Sequence, residues 1–122
     1  MKLHPAARGT YNVITAYGED YVAVNADRHQ TSLIVTPEQV VSWEVDAFDR
    51  LSPDSFSFVK AEKPEILLLG TGPKQRFPHP SVVAPLAAAG IGVEVMDLKA
   101  ACRTYNILVA EERKVAAALL FR

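Results

Sequence analysis

The chain has 122 residues, a net charge of −1, 49% apolar residues and one cysteine, Cys102; that length suits one core burying roughly two thirds of the unfolded surface, without a disulfide framework. Acids and bases are interspersed, which leaves no basic footprint for a nucleic acid. The apolar runs fall short of the roughly 20 residues of a membrane span and the N-terminus lacks a signal-peptide core, so a single cytoplasmic domain over residues 1–122 is expected, with no direct membrane insertion.

The first half reads as strand and turn. Asn12 to Tyr17 and Tyr21 to Val24 are rich in β-branched and aromatic residues and flank Gly18-Glu19-Asp20, a connector suited to an antiparallel hairpin. Polar residues Asn25 to Gln30 read as a connection. Ser32 to Val35 and Val40 to Trp43 then read as two further strands around the Thr36-Pro37 turn, which predicts a small antiparallel sheet or meander. Ser52 is placed to cap a short helix over Pro53 to Lys60, with proline at its first position and Phe56 and Val59 on one face.

From Glu65 onward the pattern changes to βαβ. Ile66 to Leu69 is apolar on both faces, as in a central strand covered by helices on each side. Gly70-Thr71-Gly72-Pro73 opens an irregular, proline-rich loop reaching to residue 80. Ser81 is expected to cap a helix over Val82 to Ala89 ended by Gly90, and Ile91 to Val95 follows as a strand. A right-handed crossover makes 66–69 and 92–95 parallel neighbours. Asp97 then caps a helix whose residues Leu98, Ala101, Cys102, Tyr105, Leu108 and Val109 form a core-facing stripe. Val115 to Leu120 reads as a closing strand.

The blocks Leu67-Leu68-Leu69-Gly70-Thr71-Gly72, Gly90 to Met96, Ala101 to Asn106 and Val115 to Leu119 resemble the archaeal Mth-like domain family of unknown function, whose mitochondrial relatives include assembly factor three of respiratory complex I. The resemblance covers nearly the whole chain. It implies an α/β, three-layer fold with a mixed central sheet, helices flanking it and a small antiparallel sheet from the N-terminal half. It carries over no catalytic residue.

The 70–80 loop is the best candidate site, because open α/β sheets place ligands where parallel strands end. Gly70 and Gly72 would let an anion approach the backbone and Thr71 could donate a hydroxyl. Lys74 and Arg76 supply positive charge, Arg76 as a fork for carboxylate or phosphate, and Asp97 emerges at the same edge. The plain structural reading is that the glycines turn the chain and the bases are solvated. Neither the P-loop spacing nor the third glycine of a dinucleotide motif is present, and no cofactor is expected. Cys102, on the apolar stripe, is expected to be an inert buried thiol rather than a nucleophile. His4, His29 and His79 have no ligand spacing, so no metal is expected. Glu94, on a strand taken as central, is expected either to reach solvent at the sheet end or to pair with a base, and the Asn106 amide to tie its helix to a neighbouring loop. Two functions compete: a non-enzymatic interaction or assembly module with a protein partner, acting through a surface that includes Trp43 or Phe77, and a small-ligand or anion-binding protein, enzyme or not, using Gly70 to Arg76. The absence of paired catalytic groups leans toward the first.

Overall fold

A computed structural model describes residues 11–122. Its centre is a five-stranded mixed sheet in the order β5-β4-β8-β6-β7, with β4 Leu33–Val35, β5 Val40–Ser42, β6 Ile66–Thr71, β7 Gly92–Met96 and β8 Val115–Leu120. The parallel strands β6 and β7 are neighbours, in the register Ile66↔Gly92 to Gly70↔Met96, as the crossover argument requires. β8 pairs parallel with β6 and antiparallel with β4. Every residue of β8 is buried, which explains its run of alanines and leucines: a strand covered on both faces has no polar side to show.

Alternation along the strands sends side chains into two cores. Leu33, Val35, Leu68, Ala117 and Leu119 face one way, onto helix α3 (Leu98–Ala110) and its stripe of Leu98, Ala101, Cys102, Tyr105 and Val109. Ile34, Leu67, Leu69, Ala116, Ala118 and Leu120 face the other, where they meet Phe56, Val59, Val82 and Leu86. Those residues come from the 3-10 turn Pro53–Phe56, helix α1 (Ser57–Glu62) and helix α2 (Pro80–Ala88). Helices therefore lie on both faces of the sheet, which makes the three layers.

The small antiparallel sheet is β1 (Ile14–Tyr17), β2 (Val22–Val24) and β3 (Asp27–His29), with β2 in the middle. Ile14, Val22 and Val24 extend the core around α3. Asn106 ties the layers together. Its Oδ1 accepts from the Ile14 N–H at 2.9 Å and its Nδ2 donates to the Ile14 carbonyl at 2.8 Å, so one side-chain amide bonds β1 as a neighbouring strand would; the Tyr105 hydroxyl donates to Asn12 O at 2.9 Å.

Several expectations change. β3 lies within Asn25 to Gln30, read as a connection. β4 and β5 leave the small sheet for the large one, where β8 supplies the partner that β4 needs. The strand carrying Glu94 is an edge strand, not a central one, and Glu94 is exposed. The helix expected over Pro53 to Lys60 divides into the 3-10 turn and α1. His79, not Ser81, caps α2: its Nδ1 accepts from the Ser81 N–H at 3.1 Å, and Pro80 takes the first helical position, where a missing N–H costs nothing. Trp43, offered as surface, is only 8% exposed; its ring lies 5.7 Å from that of Phe56 and its Nε1 donates to Ser55 O at 2.8 Å.

Candidate functional site

β6 and β7 end side by side, and the chain leaves β6 through Gly72 (φ 85), a left-handed conformation that favours glycine. A Cβ there would also sit 3.3 Å from Arg122 N, Arg76 Nη2 and Phe121 C. The Gly72 carbonyl accepts from Leu98 N–H at 2.8 Å and Asp97 Oδ1 accepts from Ala100 N–H at 2.8 Å. Two of the donors that would make the α3 N-terminus an anion site are thus already satisfied within the fold.

The other candidate residues are likewise drawn inward. Gly70 is where α3 crosses β6: a Cβ would lie 3.0 Å from Leu119 Cδ2 and 3.1 Å from Ala101 Cβ. Buried Thr71 donates its hydroxyl to Lys74 O at 2.7 Å and accepts from Arg76 N–H at 3.0 Å. The Arg76 side chain folds back over the strand end, its Nη2 donating to Thr71 O at 2.7 Å and its guanidinium lying 4.5 Å from the centre of the Phe48 ring. Lys74 is exposed, and Phe77, at 72% exposure, points out of the loop.

Of the six residues picked from sequence, Gly72 and Asp97 border a cleft of about 240 Å³, together with Gly18, Glu19, Lys99 and Arg103. Arg76 does not line it. Lys99 and Arg103, four apart on one face of α3, supply its positive charge, and Lys99 Nζ lies 3.9 Å from Glu19 Oε2 across the cleft. Their spacing beside Asp97 was a usable signal; the approach of the β1–β2 connection, which brings Gly18 and Glu19, had none. On the core face of the same helix, burial pushes the Cys102 thiol up to about 12, against the opposing influence of Arg103, so at neutral pH it is a protonated core group.

Among the described residues there is no group of three or more His, Cys, Asp or Glu side chains that could hold a metal ion, and no helix long and apolar enough to cross a membrane.

The fold has close counterparts. The chain is similar to a crystal structure of a protein from Bordetella parapertussis, at 43% identity and a TM-score of 0.86, the match covering 91% of this chain and 96% of that one. It is also similar to a Bordetella pertussis protein described as a Mth938-like domain, at 37% identity and a TM-score of 0.80 over 98% of this chain and 92% of that one. Among curated relatives it is 32% identical over 109 residues to NADH dehydrogenase (ubiquinone) 1 alpha subcomplex assembly factor 3 of Xenopus tropicalis, with 88% of this chain matched, and it spans 60% of that protein's length. It is 32% identical over 99 residues to the 13 kDa major membrane protein of Francisella tularensis, a match covering 80% of each chain. These relatives are bacterial and animal, and they lend no support to the archaeal side of the resemblance. A family model covers residues 14–120, and the chain belongs to the family described as Protein of unknown function (DUF498/DUF598).

Proposed function

We propose that the chain is a non-enzymatic protein-interaction module with an assembly-factor-like role, acting as one domain over residues 1–122 in the cytoplasm. The observation that carries this reading is the inverted character of the 70–80 loop. The Thr71 hydroxyl is spent on holding the loop and Arg76 turns its Nη2 back onto Thr71 O, with the buried Arg76 Nε left without a partner among the described residues, while the loop's large aromatic residue, Phe77, is 72% exposed. An exposed aromatic on a stiff loop fits a contact anchor better than it fits catalysis. The name of the frog relative, an assembly factor, agrees with that role. A photo-crosslinking amino acid at position 77 should capture one protein in the producing cell, and Phe77→Asp should abolish that association with an unchanged melting temperature. Adducts formed from other surface positions but none from 77 would remove this surface from the reading.

The second reading, a small-ligand or anion-binding protein, keeps support from the cleft beside Gly72 and Asp97 with Lys99 and Arg103 on its wall. Phosphate, sulfate and small carboxylates can be titrated while loop amides are followed by NMR. Saturable shifts at 70–78 and 97–103 that Arg103→Ala removes would favour it. If Arg76→Ala removes them instead, the loop itself is the site.

A further inference from the structure

The two edges of the five-stranded sheet are finished differently. At β7, the Gly92 N–H donates inward to Glu65 O at 3.0 Å, so Val93 and Val95 carry the outward-facing backbone groups. The loop covers part of that edge, because Gln75 Nε2 donates to Val95 O at 2.9 Å. At β5, the Thr36 N–H donates to Gln39 O at 2.8 Å and the Trp43 N–H to Ser32 O at 3.0 Å, on either side of the pairs Leu33↔Ser42, Ile34↔Val41 and Val35↔Val40. In an antiparallel ladder bonded and non-bonded pairs alternate, so Val41 exchanges bonds with Ile34, while Val40 and Ser42 aim N–H and C=O away from the sheet. No side chain of the described residues takes those groups.

Beside this edge runs a groove of about 450 Å³ whose lining includes Val41, Trp43 and Phe58, with Ser42, Ser52 and Ser57. Its surroundings are acidic. Glu44 and Asp54 line it together with the base Arg50, and the same stretch of chain, residues 38–54, adds Glu38, Asp46 and Asp49 and no further base, in a chain whose net charge is only −1. All five acids are exposed, and neither of the two ion pairs among the described residues involves them.

We infer that β5 accepts an extended, basic segment of a partner protein as an added strand, its backbone bonding Val40 and Ser42 and alternate side chains entering the groove. A second copy of this chain is the poorer occupant, since edge-to-edge pairing would bring two acidic rims together. The surface differs from the Phe77 loop and does not depend on it.

The test uses the 15N-labelled full chain and the blocked hexapeptide Lys-Val-Lys-Val-Lys-Val. Saturable NMR shifts clustered at 39–44 and 52–58, with slowed exchange of the Val40 and Ser42 amides, are expected. Ser42→Pro removes an outward donor that the β4 ladder does not use, and should weaken binding about tenfold. A peptide N-methylated on alternate residues should lose binding to the unaltered protein, which covers the case of a proline variant that fails to fold. Glu44→Lys with Asp54→Lys should weaken the basic peptide and improve its Glu-Val counterpart. Equal binding of both peptides to the unaltered protein, shifts centred elsewhere, or no saturable shifts would overturn the inference, as would self-association through β5 that outcompetes the peptide.

Discussion

The centre of the large sheet and the small sheet at residues 14–29 are held by different forces. β6 and β8 are paired strands with Leu67, Leu68, Leu69 and all of β8 buried, so beyond the backbone ladder their attachment to the layers above and below is area removed from water, about 25 cal/mol per Å² and indifferent to direction. The small sheet has β3 largely exposed and a core share limited mainly to Ile14, Val22 and Val24. What fixes it to α3 includes three directional bonds, two from Asn106 and one from Tyr105. The first region should fail as a whole when a side chain is lost, and the second should come loose locally.

The sharpest test is Leu68→Ala, which opens a cavity between the sheet and α3 and should cost about 2–5 kcal/mol, seen as one cooperative shift in denaturant unfolding. Next, Asn106→Ala deletes both bonds to the Ile14 peptide and should cost about 1–3 kcal/mol. Its signature is faster amide exchange in residues 12–25 with β6 and β8 still protected; uniform loss of protection would erase the contrast between the regions. Alkaline titration probes the layer joining them. Burial raises the folded-state pKa of Tyr105 and raises that of Cys102 to about 12, from 9.0. Their contribution is fully present below pH 9, and from Cys102 stability should fall by up to about 1.4 kcal/mol per pH unit as pH rises from 9 toward 12. Cys102→Ala should flatten that part of the curve, and thiol reagents should ignore the native protein at neutral pH. The smallest effect belongs to Arg113→Ala. Its hydrogen bond lowers the Glu65 pKa, but the pair is exposed at 2.9 Å, and the melting temperature should not move measurably.

The same division decided what could be read in advance. Where burial dictates sequence, as in Ile66 to Leu69 or the α3 stripe, the pattern of apolar residues identifies the element and its partner. Asp27-Arg28-His29 carries no such pattern; it is a strand because a two-residue turn with Asn25 at φ 56 folds it against β2. β4 and β5 were legible as strands but not as members of the large sheet, since nothing near Ile34 announces Ala118. At the candidate site, a loop after β6 followed from the βαβ pattern, but the strand runs two residues further than expected, so Gly70 and Thr71 belong to it and the loop begins at Gly72. Whether Thr71 and Arg76 face a ligand or the protein did not follow, because either orientation uses the same residue types.

The placement of β8 between β4 and β6 has a consequence for how the protein is made. Leu33 pairs with Leu119, so β4 emerges from a ribosome well before its inner neighbour exists, roughly 4–17 s earlier at ordinary elongation rates. During that interval the nascent chain carries two incomplete pieces, a β4–β5 hairpin and a β6–α2–β7 unit, each with an unpaired apolar edge on the side that β8 will fill. Sheet completion is therefore an insertion event that follows synthesis of both pieces, and the exposed edges of β4 and β6 are the surfaces a chaperone would have most reason to shield.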